Sequence, residues 1–284
     1  MCRRLLADTW GNRRATLFHG LNQRLPRKGF RRQISTFHDL FVLSGDYSTK
    51  EFRDRFADQA RKAAAASDLI IAVSAFTASQ VETLLRIPAS RIRVIHHGVL
   101  PRKIPSLPRE KIVLCVGAIQ RRKNQTTLVR AFRALPDDWR LILAGSEGYE
   151  AAETLAAIDQ SPCRQRIHIT GYIPETELAE WYAKAMIFAF PSLDEGFGMP
   201  VLEAMAAGIP VITGNRSSLP EVAGDAALLV NPSQESELEA ALETLGTNER
   251  RRNRLIEAGL ERARRFTWSK AVTQTADVYR EITQ

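Results

Sequence analysis

Two glutamates frame the segment of this chain that is best suited to chemistry. Glu195 and Glu203 lie eight positions apart, and a Gly-x-Gly turn and a proline stand between them. Pro200 suits the first turn of a helix, where its missing N–H costs nothing, and Gly208 is suited to end that helix. The pattern therefore predicts Glu195 in a strand-to-helix turn and Glu203 about one turn inside the helix.

The start of that helix is a predicted anion site. The first N–H groups of a helix have no partner within it, and the helix dipole favours a negative charge there. The turn and the helix start are formed by Gly196, Phe197, Gly198, Met199, Pro200, Val201 and Leu202. Two carboxylates beside an anion site suit a ligand with both a phosphate and hydroxyl groups, and a nucleotide sugar is such a ligand.

A basic loop is the second candidate. Gly117 follows an apolar run, and Arg122, Lys123 and Asn124 come shortly after it. The cationic pair can neutralise a diphosphate, with arginine as a planar fork and lysine as a point charge. An exposed basic loop without a ligand remains the alternative, because such loops are common.

Weaker signals come from single residues at strand ends. His38 can hydrogen-bond a sugar hydroxyl from the end of an apolar strand, although a structural histidine is the better explanation when His38 is considered alone. Main-chain groups near Ile173 can pair with the edge of a base, and a plain turn is an equal alternative. His96 and His97 are only a weak metal site without further ligands.

The absence of several motifs disfavours other classes of enzyme. The chain contains no Asp-x-Asp, so carboxylates that bridge a metal to a diphosphate lack a counterpart and no metal is expected. Cationic side chains and a helix dipole would then stabilise the diphosphate. The absence of a P-loop, a Gly-x-Gly-x-x-Gly fingerprint and a Gly-x-Ser-x-Gly elbow disfavours a dinucleotide oxidoreductase and a serine hydrolase.

Strands and helices alternate from about residue 107 onward. Continuous apolar runs predict strands at 111–119, 141–144, 167–173, 187–190, 210–213 and 227–230. Helical periodicity predicts helices at 126–135, 151–158, 175–184, from Pro200, 235–265 and 266–282. This alternation predicts an α/β fold with a doubly wound parallel sheet, whose ligands lie at the carboxyl ends of the strands.

The first hundred residues repeat this style less completely. They contain predicted strands at 33–37, 68–73 and 92–95, and predicted helices at 49–66 and 75–85. Three prolines in 100–109 indicate a linker. We therefore expect two Rossmann-like domains that face a cleft: a partial N-terminal domain at 1–104, a nucleotide-sugar-binding domain at 105–265, and a last helix at 266–284.

Composition limits the class of protein. The chain has 284 residues, ordinary apolar content and no apolar run near the roughly 18 residues that span a bilayer. Residues 1–36 hold nine lysines and arginines against one aspartate, which equals the whole net charge of +8. That segment could bind an anionic membrane surface or an acidic acceptor, and a solvated arginine-rich edge is an equal alternative.

Other features exclude further classes. No aromatic-basic pattern supports nucleic-acid binding. Scattered cysteines indicate a cytoplasmic protein without disulfides, and Cys115 is predicted to lie in the core.

Taken together, these motifs resemble the retaining glycosyltransferases of the GT-B fold, in the large family (group 1, or family 4) that includes many bacterial mannosyltransferases and glucosyltransferases. The Glu-x7-Glu segment is the specific signal, and Arg-Lys-Asn at 122–124 fits it. The runs Phe37–Leu40, Asp68–Ser74, His97–Val99 and Phe266–Trp268 resemble the family in order and spacing, so the resemblance covers nearly the whole chain.

The resemblance implies roles for these residues. Glu195 contacts the hydroxyls of the donor sugar, Glu203 holds the ribose, and Arg122 with Lys123 binds the diphosphate. The amides from Gly196 to Leu202 contact sugar and phosphate, with Gly117 nearby. His38 reaches the donor sugar from the N-terminal domain, residues near Ile173 frame the base, and the last helix crosses back to the N-terminal domain.

The implied reaction is metal-independent transfer of a hexose with retention at the anomeric carbon. The expected donor is a nucleotide sugar, slightly more in favour of GDP-mannose than of a UDP-sugar, and the expected acceptor is a glycan or lipid-linked glycan of the cell surface. Glu195 is expected to orient the donor, and a covalent nucleophile is the weaker alternative. A peripheral position at the inner membrane face is compatible with the basic N-terminal segment.

The family pattern differs in one respect. A glycine-rich loop and further strand–helix units normally precede the residues equivalent to His38, and this sequence lacks them. The chain is therefore expected to be truncated at the N-terminus, with an exposed sheet edge. A non-catalytic nucleotide-sugar-binding remnant is the alternative to an active enzyme. Other GT-B reactions, such as phosphorolysis or epimerisation, are disfavoured by the Glu-x7-Glu pair.

Overall fold

The computed structural model describes residues 16–26, 30–100 and 104–284. Its strands are β1 Leu17–Gly20, β2 Arg32–Phe37, β3 Leu69–Ala72, β4 Ile92–Val94, β5 Glu110–Val116, β6 Arg140–Ala144, β7 Ile167–Ile169, β8 Ala185–Phe190, β9 Val211–Gly214 and β10 Ala227–Val230. Its helices are α1 Phe41–Ser44, α2 Lys50–Ala66, α3 Ala75–Leu85, α4 Gln125–Ala131, α5 Ala151–Asp159, α6 Glu175–Lys184, α7 Met199–Ala206, α8 Leu219–Ala223, α9 Glu235–Thr247, α10 Glu249–Arg264 and α11 Trp268–Thr283.

The chain divides into two compact units. The first unit comprises Met1–Gly98 together with Trp268–Gln284, and the second comprises Val99–Thr267. The sequence had suggested divisions after residues 104 and 265. Within the first unit, α11 therefore packs with strands that precede it by about two hundred residues.

The first unit is a parallel sheet in the order β1-β2-β3-β4. Alternate side chains of its strands point to opposite faces. Ile70 packs with helices α2 and α3 on one face, whereas Leu69 and Ile71 pack with Ala271, Val278 and other residues of α11 on the other. Covering both faces is typical of an all-parallel sheet.

The second unit is a parallel sheet in the order β10-β9-β8-β5-β6-β7. The first strand of this unit, β5, lies in the middle of the sheet, so the winding reverses between β5 and β8. A doubly wound sheet opens a crevice at the carboxyl ends of the strands where its winding reverses, and ligands bind there. The topology therefore predicts a ligand site at the loops that follow β5 and β8.

Several predicted boundaries are wrong. The strand predicted at 167–173 ends at Ile169, because Gly171 takes a left-handed φ of +68° that no strand continues. The strand predicted at 111–119 ends at Val116, before Gly117 at φ +136°. The long helix predicted at 235–265 is two helices, because Asn248 leaves the helical conformation and its side chain caps α10. Strand β1 and the short helices α1 and α8 had not been predicted.

Six of the nine basic residues counted in 1–36 lie outside the described residues, as does Cys2; these six are Arg3, Arg4, Arg13, Arg14, Arg27 and Lys28. Cys115 is buried in β5, as predicted, and burial raises the pKa of its thiol to about 12. Within the described ranges, no helix is both long and apolar enough to cross a membrane.

Candidate active site

The basic loop and the acidic turn meet at the reversal point of the second unit. Strands β5 and β8 are paired in parallel, with Leu114 opposite Phe188. Because both strands run in the same direction, the loop 117–124 and the turn 191–198 leave the sheet at the same edge. A main-chain bond from the Leu193 N–H to the Arg122 carbonyl, 2.8 Å long, joins them directly.

Two of the three cations in the loop bind one carboxylate of the turn. Lys123 Nζ lies 2.6 Å from Glu195 Oε1, and Arg122 Nη1 lies 2.9 Å from Glu195 Oε2. The three side chains are only 9–11% exposed. Arg122 also donates to the carbonyl of Asp194. This ion cluster (Arg122, Lys123 and Glu195) carries a net charge of +1 in a desolvated place.

The cations keep Glu195 ionised. Burial works to raise the pKa of this carboxyl, but the charges and hydrogen bonds of Lys123 and Arg122 outweigh burial and lower the pKa below its usual range. Lys123 Nζ lies 4.6 Å from the centre of the Phe190 ring, which adds a cation–π contact. Glu195 is therefore a carboxylate anion at neutral pH.

Serines of the loop after β9 fix the acidic turn. The Glu195 N–H donates to Ser217 Oγ over 3.0 Å. Ser218 Oγ lies 2.7 Å from the Glu195 carbonyl and 2.9 Å from the Phe197 carbonyl. Ser218 is fully buried, so the turn is held from its inner side and the carboxylate position follows from that anchoring.

The basic loop is anchored in the same way by Asn124. This residue takes a left-handed φ of +57°, and its side-chain amide donates to the carbonyls of Pro191 and Pro232 over 3.2 and 2.7 Å. Gly117, at φ +136°, stands beside the stem of Lys123, since a Cβ on Gly117 would lie 3.4 Å from Lys123 Cε. The loop and the turn are thus tied together through main chain as well as through charge.

Helix α7 begins at the site. Gly198 supplies its N-cap at φ +103°, and Pro200 lies in its first turn. Val201 and Leu202 are fully buried. Gly196 is buried, Phe197 packs against the Phe266 ring at 6.0 Å, and Met199 and Pro200 are half-buried. The structure thus places these residues at the start of α7 as predicted from the sequence, and binding of the donor by their backbone amides stays a prediction.

Tyr182 holds Glu203 and had not been identified from the sequence. Its hydroxyl donates to Glu203 Oε2 over 2.9 Å, and the residue itself is fully buried on α6. A buried tyrosine hydroxyl generally has a partner, so Tyr182 on the buried face of a predicted helix was an available signal. The residue that it holds was not predictable without the fold.

Ile173 lies apart from this cluster in the strand order. It is half-buried in the loop between β7 and α6, and β7 is separated from β8 by β5 and β6. The loop leaves the same carboxyl edge of the sheet, so contact with a base remains a prediction. The exposed Tyr172 stands beside it.

His38 belongs to the first unit and lines a cavity there. The cavity has a volume of about 470 Å³ and lies between the carboxyl ends of β1 to β4 and helix α11. His19, Thr36, His97, Trp268 and Tyr279 also line it. His19 links the two sides, because its ring nitrogens lie 2.6 Å from Tyr279 Oη and 2.8 Å from Thr36 Oγ1.

The described residues contain no cluster of potential metal ligands. No group of three or more His, Cys, Asp or Glu side chains in that part of the chain is arranged to hold a metal ion. The neighbouring His96 and His97 accordingly form no metal site there. Metal independence of any reaction stays a prediction.

Comparison with solved structures identifies the fold. The chain aligns with sucrose-phosphate synthase from Thermosynechococcus elongatus at a TM-score of 0.82 and 23% identity, covering 99% of this chain and 76% of that chain. It aligns with Anabaena Alr3699/HepE, solved in complex with UDP and glucose, at a TM-score of 0.72 and 18% identity, covering 89% and 71%. The predicted α/β GT-B fold is thereby confirmed, whereas the incompleteness of the N-terminal domain stays a prediction.

Sequence comparison then defines the family. Residues 100–262 match the profile of the glycosyl transferases group 1, and residues 11–102 match Glycosyltransferase Family 4. O-antigen chain mannosyltransferase B of Escherichia coli is 32% identical over 283 residues, which cover 93% of this chain and 74% of that relative. The chain belongs to the group 1 glycosyltransferases.

Other relatives are longer. The chain is 27% identical to the serotype-specific mannosyltransferase WbdA of Escherichia coli and spans 34% of its length. The activity, substrates and partners of these longer proteins are therefore assigned to this chain only as proposals.

Proposed function

We propose that the protein transfers mannose from GDP-mannose to a glycan or lipid-linked acceptor in the synthesis of a cell-surface polysaccharide. Two Escherichia coli relatives, the O-antigen chain mannosyltransferase B and the serotype-specific mannosyltransferase WbdA, support this sugar and this process. A UDP-sugar is the second candidate donor, supported by the UDP complex of the Anabaena neighbour.

The ion cluster is the observation that carries the proposal. Two desolvated cations stand at the reversal point of the sheet, beside the start of α7, and share one carboxylate. A donor diphosphate brings two negative charges to that place and would take hydrogen bonds from both cations. Lys123 and Arg122, together with the amides of α7, would then stabilise the leaving diphosphate without a metal.

In this proposal, Glu195 orients the donor. When the cations turn to the diphosphate, the carboxylate becomes available to accept from hydroxyls of the sugar. The acceptor oxygen bonds to the anomeric carbon on the face from which the diphosphate leaves, and its proton passes to a departing diphosphate oxygen. The configuration is retained, and the protein contributes mainly positioning and charge stabilisation.

The remaining roles follow the same assignment. Glu203, held by Tyr182, accepts from the ribose hydroxyls, and the main chain near Ile173 frames the base. His38 serves the donor sugar from the first unit. The basic N-terminal segment meets anionic lipid at the inner membrane face, and the protein is cytoplasmic or peripheral there.

A titration of thermal stability tests the donor class. GDP, UDP, ADP and their sugar conjugates are added to the wild type, to Glu203→Ala and to Glu257→Ala, an exposed glutamate of α10 that serves as the matched control. A ligand at 100 times its Kd stabilises the folded state by about 2.7 kcal/mol. We expect GDP to shift the wild type and the control, and to shift Glu203→Ala much less.

Transfer itself is tested with GDP-mannose and a lipid-linked acceptor, with and without EDTA, and the anomeric configuration of the product is read by NMR. Nucleotide binding without transfer would favour the non-catalytic remnant. No shift with any nucleotide would overturn the assignment of the donor site.

A further inference from the structure

The hydrogen bonds of His38 define which of its ring nitrogens carries the proton. Its Nε2 lies 2.7 Å from the carbonyl oxygen of Leu21, and a carbonyl oxygen only accepts hydrogen bonds. The proton of His38 therefore stands on Nε2. In the neutral ring, Nδ1 then carries a lone pair and needs a donor.

His97 faces that lone pair. Its Nε2 lies 3.1 Å from His38 Nδ1, and the two rings stack at an interplanar angle of 13° with centres 5.2 Å apart. Burial, followed by the nearby His38 and His96, lowers the pKa of His97 to about 4, so it is neutral at physiological pH. A neutral His97 satisfies His38 only when its own proton stands on Nε2.

The partner ring is itself held in place. His97 follows β4 and contacts the Trp268 ring of α11 at 5.7 Å between centres. Both histidines line the same cavity at the carboxyl edge of the first sheet. A rotation of His38 would leave its Nδ1 without this donor and the Leu21 carbonyl without its proton.

We propose that His97 is a positioning residue for His38: its Nε2–H fixes the ring orientation and the Nε2–H tautomer of His38. The inference rests on the proposed function only for its catalytic consequence, because His38 is there assigned to the donor sugar. His97 acts through His38 and is not itself assigned to the substrate.

NMR of the ligand-free protein tests the positioning without any substrate. Long-range ¹H–¹⁵N spectra distinguish a protonated from an unprotonated ring nitrogen. We expect the wild type to show His38 as the Nε2–H tautomer. His97→Phe keeps a flat ring but removes the donor, and the His38 signals should then become a mixture of tautomers. His97→Gln places an amide N–H near the former Nε2 and should restore the single tautomer.

His168→Gln is the matched control, because His168 is exposed on β7 in the second unit and should leave the His38 signals unchanged. Retained amide dispersion outside the cavity shows that each variant is folded. A wild-type His38 protonated on Nδ1, or a His97→Phe variant with an unchanged His38 tautomer, would overturn the proposal.

Steady-state kinetics tests the consequence. Because the diphosphate is assigned to the second unit, His97→Phe should lower kcat by roughly tenfold, the equivalent of one positioned hydrogen bond, with little change in KM for the donor. His97→Gln should recover most of the loss. If the wild type transfers no sugar, the proposed function fails, while the NMR result still decides whether His97 positions His38.

Discussion

Glu195→Gln is the sharpest perturbation of the second unit. The amide keeps the size of the side chain but removes the only negative charge of the ion cluster. Lys123 and Arg122 then remain as two cations whose side chains are 11% and 9% exposed. The glutamine oxygen still accepts from one cation, whereas its NH2 group cannot accept from the other, so the variant removes the charge and one of the two contacts.

The size of the effect follows from the burial of the ion cluster. Removing one partner of a buried ion pair costs about 3–5 kcal/mol, since the remaining charge stays desolvated. With one hydrogen bond kept, we expect the lower end, about 3 kcal/mol. For a unit of this size, that corresponds to a fall of roughly 6–12 °C in its melting temperature.

Calorimetry measures this loss as a fall in the melting temperature of the second unit. Glu150→Gln is the matched control, because it breaks an ion pair with Arg121 of the same loop whose side chains are 47% and 39% exposed. Such exposed pairs contribute at most about 1 kcal/mol. Pyrophosphate should then stabilise Glu195→Gln more than the wild type, because the anion no longer competes with a carboxylate.

Either of two results would refute this reasoning. A Glu195→Gln variant as stable as the wild type would mean that solvent already screens the two cations. Equal stabilisation of variant and wild type by pyrophosphate would mean that Glu195 and the anion do not share Lys123 and Arg122.

Three further variants test other parts of the structure. Tyr182→Phe removes the hydrogen bond to Glu203 and should weaken GDP binding roughly fivefold by calorimetric titration, with the fold retained. Gly198→Ala forces a side chain into φ +103°, with its Cβ 2.8 Å from Leu219 Cδ2, and should cost at least about 2 kcal/mol in urea unfolding. His97 has a pKa of about 4 when folded against 6.5 unfolded, so the stability linked to its neutral form is complete above pH 6.5 and is lost as the pH falls toward 4; His97→Phe should flatten that window.

Each of these has a contrary outcome. Unchanged GDP affinity in Tyr182→Phe would separate the tyrosine from the nucleotide. A Gly198→Ala variant with wild-type stability would mean that α7 begins in another conformation. A pH profile that is the same in His97→Phe and in the wild type would place the acid sensitivity of the first unit elsewhere.

Local chemistry explains why several elements of the two units were predictable. Helices α3 and α6 and strand β10 occupy their predicted residues, because apolar periodicity and flanking prolines act over short distances. The start of α7 and the place of Glu203 within it follow from Pro200 and Gly198 in the same way.

Long-range pairing explains what was not predictable. Lys123 and Glu195 are 72 positions apart, and their contact depends on β5 lying beside β8. Apolar runs that alternate with helices predict a parallel sheet. The order of its strands, however, depends on how the helices pack against the sheet. The bond between His19 and Tyr279 spans 260 positions and depends on α11 returning to the first sheet.

The ion cluster contributes little to the stability of the fold, and this low contribution favours a role in ligand binding. Desolvating three charges costs several kcal/mol per ion, and well-packed apolar side chains of similar volume generally stabilise a fold as well or better. Here, the cluster itself holds two cations and one carboxylate, all desolvated. It also stands where the winding of the sheet reverses, the place at which such sheets bind ligands. A buried cluster that is costly to the fold, and that holds more cations than carboxylates, supports the proposal that an anion binds there.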